Sequence, residues 1–186
     1  MLILKSSSPR RIQVLKSLGL KFDVLPANID ENSQPGESYL EYLKRVTLEK
    51  LEKEKASKEN MYISSDTIVV NENKMLPKPI DFKEATAMLT ELEGKNHFVY
   101  SGIAILIGEN LVFDYDKTEV NMKEWKLKEI REYIEKNQPF DKAGSYGIQD
   151  KNGPVLTIKG SFHNVLGFPL RKFYLYHHLW KDFLCL

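Results

Sequence analysis

The sequence predicts an α/β protein in which helices flank a mixed β-sheet. Three observations carry that expectation. Short β-prone runs alternate with amphipathic helical stretches through the first half of the chain, the alternation of an α/β fold. Two consecutive strand-like runs, His97 to Ile107 and Leu111 to Val120, are split only by Gly108-Glu109-Asn110, which marks an antiparallel pair. The chain has 186 residues, 42% of them hydrophobic, enough for one substantial core, and no repeat or low-complexity linker divides it. One domain spanning 1–186 is therefore expected.

Taken in order, Leu2 to Lys5 reads as a strand. Ser6-Ser7-Ser8-Pro9 follows as a helix start, with serine able to cap and proline suited to the first turn. The helix from Arg10 to Leu18 should stop at Gly19, and Leu20 to Leu25 is a second strand candidate. Ile29 to Ser38 is a polar loop. Tyr39 to Lys58 should form a charged helix with Leu40, Leu43, Val46 and Leu51 on its apolar side. Tyr62 to Val70 is a strand run interrupted by Ser64-Ser65-Asp66-Thr67. Asp81 to Leu92 is a helix with Ala85, Met88, Leu89 and Leu92 on one face, stopped by Gly94. After the antiparallel pair, Lys123 to Lys136 is helical, 139–153 is a Gly-rich loop, Val155 to Lys159 is a strand and Pro169 to Leu184 is a closing helix.

Charge narrows the partners. Lysine and arginine number 27 against 26 acids, a formal net charge of +1, so no bulk field favours a nucleic-acid polymer or a membrane surface. No apolar run approaches the roughly 18 residues of a membrane span, and the opening Met1 to Lys5 is too short for a signal peptide. The single cysteine, Cys185, excludes an intramolecular disulfide and is expected to pack as a small apolar group. A cytoplasmic location is the default expectation.

Anion binding must then come from local clusters. Ser6-Ser7-Ser8-Pro9-Arg10-Arg11 sits where a strand turns into a helix, a place where backbone N–H groups, hydroxyls and planar guanidinium forks suit phosphate. A capped surface helix with solvated arginines is the plain alternative. Asp66 is the one acid in the polar break of its strand and can hold a metal or act on water, or simply sit at a bulge. Lys78, between two prolines, can meet a phosphate or stand exposed on a turn. Lys50 lies in a Lys/Glu-rich helix where a solvated side chain is the ordinary outcome. Asp141 to Gln149 holds two glycines that permit close backbone approach, and the Gln149 amide offers a donor and an acceptor suited to the edge of a uracil or thymine ring. Zinc is not expected: His177 and His178 are adjacent, so they point about 100° apart on a helix. His97 and His163 stand alone and are expected to be structural.

In this order, the motifs resemble the Maf family of nucleotide pyrophosphatases, from Leu2 to about Leu170. The family's S-x-S-P-R-R opening stands as Ser6 to Arg11, its acidic pair as Asp30-Glu31 and its helix lysine as Lys50. Its A-D-T-V-V segment stands as Ser65-Asp66-Thr67-Ile68-Val69, and its G-K-P turn as Pro77-Lys78-Pro79. D-K-A-G-x-Y-G-I-Q is complete from Asp141 to Gln149, and N-V-x-G-x-P-L runs from Asn164 to Leu170. Two departures stand out: Ser65 replaces alanine, and Pro77 replaces glycine, which denies that position a positive φ.

The resemblance implies an elongated, two-lobed Maf/ITPase-like fold with a central cleft, a homodimer and a divalent metal cofactor, Mg²⁺ or Mn²⁺. It implies attack of water at the α-phosphorus of a nucleoside triphosphate, with Asp66 as proton acceptor. Ser8, Arg10, Arg11, Lys50 and Lys78 would bind the triphosphate, with Glu31 and Asp66 at the metal. Arg10, Thr67 and Gln149 occupy the positions associated with base choice, and Tyr-Gly-Ile-Gln resembles the branch acting on dTTP and UTP. A role in removing modified pyrimidine nucleotides would follow. The alternatives are 7-methyl-GTP as substrate, against which Gln149 stands, and a nucleotide-sensing regulator of septum formation, which would not need Asp66.

Overall fold

A computed structural model describes residues 1–51 and 59–181. Seven strands make a mixed sheet in the order β2-β1-β3-β5-β6-β7, with β4 paired to β3. The elements run β1 (Leu2–Leu4), α1 (Pro9–Ser17), β2 (Asp23–Val24), α2 (Tyr39–Glu49), β3 (Met61–Asn71), β4 (Lys74–Leu76) and α3 (Phe82–Leu92). They continue with β5 (Asn96–Ile107), β6 (Asn110–Met122), α4 (Leu127–Asn137), β7 (Val155–Lys159), α5 (Phe162–Leu166), α6 (Leu170–Leu175) and α7 (His177–Trp180). β1 pairs in parallel with β2 and β3, whereas β3–β4 and β6–β7 are antiparallel. The expected mixed α/β class is therefore observed.

The chain divides into two compact units. The first comprises Met1–Asp66, Ser101–Asp116 and Gly167–Leu186, and the second comprises Thr67–Tyr100 and Lys117–Leu166. In the first, Ile3, Tyr62, Ala104 and Leu51 pack together with Leu48, Leu106 and Phe113 against them. A second apolar group there is aromatic, with Phe173 stacked on Trp180 at 4.1 Å and edge-on to Phe168. In the second unit the apolar faces of α3 (Ala85, Leu89, Leu92) and α4 (Ile130, Tyr133, Ile134) share a core with Val69, Val99, Val120 and Met122.

Several sequence expectations need correction. The stretch Ser64 to Thr67 does not interrupt its strand: β3 runs unbroken for 11 residues. The serines are compatible with the ladder because their hydroxyls find backbone acceptors. Ser64 Oγ donates to Thr47 O at 2.6 Å, and Ser65 Oγ donates to Gly102 O at 2.7 Å. Leu20 to Leu25 contributes only the two exposed residues of β2. A short strand, β4, went unforeseen; it folds back through Glu72 (φ 47) and Asn73 (φ 66), a two-residue reversal lacking the Asn-Gly pair that would have advertised it. Ser8 does occupy the position before α1, with Pro9 at its first residue, but its side chain makes no capping bond.

The closing helix is broken into α6 and α7, preceded by the separate short α5. Its expected end at Leu184 lies outside the described residues, as do Cys185 and the stretch 52–58 of the Tyr39 to Lys58 helix. Within the described residues that helix ends at Glu49. No helix of the described residues is long and apolar enough to cross a membrane.

Candidate active site

The first unit brings four of the expected site residues together, and local sequence explains how. Helix α2 begins with a reciprocal cap: Ser38 Oγ accepts from Glu41 N at 3.3 Å while Ser38 N donates to Glu41 Oε2 at 2.9 Å. At its other end Lys50 is the C-terminal cap, and its side chain is 6% exposed. A lysine is rarely buried unless its charge is met. Here Nζ lies 2.7 Å from Asp66 Oδ1 on β3 and 3.0 Å from Glu31 Oε1, so one ammonium joins two carboxylates. One turn earlier, Thr47 is wholly buried against Gly102 of β5. A Cβ at Gly102 would meet Thr47 Oγ1 at 2.7 Å, so glycine is what allows the helix this close to the sheet.

Glu31 reaches the cluster from an anchored loop. Asp30, the other acid of the pair, turns the chain: its Oδ1 accepts from Asn32 N at 2.9 Å and Asn32 Nδ2 at 2.7 Å. Tyr42 Oη donates to Glu31 O at 2.9 Å, and Arg45 Nη2 donates to Asn32 O at 2.9 Å. Arg45 also forks onto Glu37 at 2.6 and 3.0 Å. Desolvation pushes the Tyr42 phenol above its ordinary value, with Asp66 and Glu31 adding to the shift, so it remains a donor.

Arg11 arrives from the first turn of α1. Its Nε donates to Gly167 O at 2.8 Å and its Nη1 to Ser6 Oγ at 3.1 Å. Ser65 Oγ also reaches Gly167 O, at 3.3 Å. Desolvation lowers the Arg11 guanidinium from its ordinary value; the charges of Asp66 and Glu31 oppose that shift, and the neighbouring Arg10 adds to it. The arginine pair and the two carboxylates thus share one electrostatic neighbourhood. Ser8 stands just before, its N–H donating to Ser6 Oγ at 3.3 Å.

Thr67, Lys78 and Gln149 belong to the second unit. Thr67 follows Asp66 on β3, so the two side chains leave opposite faces of the strand. Lys78 is exposed, and the carbonyl of Pro77 accepts from Gly144 N at 3.1 Å. Gln149 is exposed in the turn that follows Gly147. Ser6 belongs to the serine-arginine opening and Ser65 to the Asp66 motif, both marked by the sequence, whereas the carbonyl of Gly167, which accepts from Arg11 and Ser65, is the contact that sequence reasoning missed. Nothing in the sequence marks a carbonyl.

Among the described residues no three His, Cys, Asp or Glu side chains converge as a metal cage. The Glu31 and Asp66 pair nonetheless suits Mg²⁺ or Mn²⁺ arriving with a nucleotide, since such ions take one or two carboxylates and complete their shell with phosphate oxygens and water.

With this geometry in place, the model of Maf-like proteins matches residues 1–178. The chain belongs to the Maf family. Maf relatives are similar along nearly their whole length. A dTTP/UTP pyrophosphatase of Leptospira interrogans serogroup Icterohaemorrhagiae serovar Lai (strain 56601) is 50% identical, with 99% of this chain and 97% of the relative covered. One from Leptospira borgpetersenii serovar Hardjo-bovis (strain JB197) is 51% identical over 99% and 98%. A dTTP/UTP pyrophosphatase of Clostridium perfringens (strain 13 / Type A) is 40% identical over 92% and 93%. In Maf terms, the Ser6 to Arg11 opening and the Glu31, Lys50 and Asp66 positions meet in one unit, while the Thr67, Lys78 and Gln149 positions lie in the other.

Proposed function

We propose that this chain is a nucleoside triphosphate pyrophosphatase acting on dTTP and UTP, and on modified pyrimidine nucleotides, to give the monophosphate and pyrophosphate. The observation that carries this is Asp66, held by a buried lysine beside Glu31 and within the electrostatic reach of Arg11. The names of the Maf relatives support the same substrates.

The chemistry follows from the charges. A triphosphate brings about four negative charges that basic groups must offset in the transition state. In this proposal Ser8, Arg10, Arg11, Lys50 and Lys78 bind the phosphates. Asp66 takes the proton of the water that attacks the α-phosphorus, and pyrophosphate leaves. Glu31 and Asp66 would hold a divalent cation, which supplies further charge neutralisation when bound. A homodimer and a cytoplasmic site of action belong to the same proposal. An intact acid next to a full basic set favours turnover over nucleotide sensing alone.

The test is the product pair. UTP or dTTP with Mg²⁺ or Mn²⁺ is expected to release pyrophosphate and the monophosphate, separated by ion-exchange chromatography. Diphosphate plus inorganic phosphate would refute the chemistry.

Base choice gives a second test. Gln149 can donate to a pyrimidine carbonyl and accept from the ring N–H; glutamate would face that carbonyl acceptor to acceptor. Gln149→Glu is expected to lower kcat/KM for dTTP and UTP roughly ten-fold to a hundred-fold, the cost of a polar group left unpaired once the bound base covers it. Activity on 7-methyl-GTP should fall less or rise. Equal losses on every nucleotide would mean that Gln149 supports its loop and does not read the base.

A further inference from the structure

The loop that carries Gln149 has an unusual backbone. Gly144 (φ 68) and Ser145 (φ 67) are consecutive left-handed residues. The serine is not suited to that region, and such conformations persist only where the surroundings over-determine them. Ties at four residues do so here, all within the second unit. Gly144 N donates to Pro77 O at 3.1 Å, and Ser145 Oγ to Met88 Sδ at 3.2 Å. Gly147 N donates to Tyr133 Oη and to Asp150 Oδ2, both at 3.1 Å. Tyr146 Oη meets His97 Nε2 at 2.6 Å, with the two rings edge to face at 5.4 Å.

The tie at Tyr146 is the odd one. His97 is 1% exposed on β5, and among the described residues its Nδ1 has no hydrogen-bond partner. Leaving one buried ring nitrogen unmet costs about 1–3 kcal/mol, which phenylalanine or leucine at the same place would avoid. The ring's one side-chain hydrogen bond among the described residues goes to Tyr146, three residues before Gln149. Desolvation pushes the His97 imidazole down to about 4, so it stays neutral and keeps that bond throughout the neutral range. Desolvation likewise raises the Tyr146 phenol, which stays protonated.

We propose that His97 is a positioning residue for base selection: by holding Tyr146 it fixes the strained 144–147 segment, and with it the place of Gln149, without touching the nucleotide. This rests on the proposed role of Gln149 as the base reader. Because Pro77 O is tied to Gly144, the same clamp steadies the turn that carries Lys78.

The test compares His97→Phe, which keeps a ring and removes both nitrogens, with His97→Gln, whose amide can still reach Tyr146. Amide hydrogen exchange over 143–150 is read beside kcat/KM for UTP and for 7-methyl-GTP. His97→Phe is expected to speed exchange in that segment roughly ten-fold and to narrow the UTP-over-7-methyl-GTP preference roughly ten-fold, the size of one lost buried hydrogen bond. His97→Gln should recover part of both. Tyr146→Phe removes the same bond from the loop side and serves if His97→Phe fails to fold. Unchanged exchange over 143–150, or equal losses on both nucleotides, would overturn the proposal. A wild-type protein with no pyrophosphate release would instead sink the proposed activity, while the exchange comparison would still decide whether His97 holds the loop.

Discussion

Asp66→Asn is expected to leave a folded protein whose kcat is lower by about 10²–10⁴, the usual contribution of a general base. The substitution preserves shape and an oxygen that can accept from Lys50, whose Nζ now sits 2.7 Å from Oδ1. What it removes is the basic carboxylate. Asp66 sits midway along β3, whose ladder is held from both sides of the sheet, so the backbone should not move. The measurements are steady-state kinetics with UTP, a thermal melt and Mg²⁺ or Mn²⁺ affinity on the same sample. A folded variant with near-normal kcat would remove Asp66 from the mechanism. A lost rate with unchanged metal affinity assigns it as the base, and a matching loss of metal affinity assigns it as a ligand.

Lys50→Met is expected to harm stability and activity together. Lys50 is 6% exposed and Asp66 is 8% exposed, so the pair is buried. Removing one partner of a buried pair costs about 3–5 kcal/mol, because the other charge is left unmet. The half-exposed Glu31 adds little to that figure, since solvent screens it. In urea unfolding the midpoint should drop accordingly. Asp66→Asn removes the stranded charge, so the double variant should recover roughly 0.5–3 kcal/mol relative to the sum of the two single changes. Strict additivity would show that the two side chains are not coupled. Independently, loss of a charge-assisted phosphate contact should lower kcat/KM by at least roughly ten-fold.

Lys50 also shows what the sequence could and could not disclose. On charge pattern alone it belonged to a solvated face of a Lys/Glu-rich helix, and only its place in the ordered motif set marked it otherwise. Its burial depends on α2 approaching β5 over Gly102, a contact 55 residues away from Thr47 that no local pattern encodes. The long strands and helices with strong periodicity, such as α3 with its four apolar side chains, were legible because one buried face imposes one period. The polar centre of β3 was misread as a break because the acceptors that satisfy Ser64 and Ser65 come from distant segments. The break between α6 and α7 was also hidden. The first turn of α6 carries Arg171 and Lys172, whose side chains meet Asp116 and Asp114 of β6, contacts that no local pattern announces.

The bond from Arg11 Nε to Gly167 O joins residues 156 positions apart, and its unit is assembled from the beginning, the middle and the end of the chain. At a synthesis rate of about 5–20 residues per second, Arg11 is synthesised roughly eight to thirty seconds before the carbonyl that anchors it. A nascent or prematurely terminated polypeptide therefore carries the serine-arginine opening, Glu31, Lys50 and Asp66 without their final tether. A chain cut before Gly167 lacks that tether and is expected to be inert toward the nucleotide pool, even though every acid and base proposed for the first unit is already present.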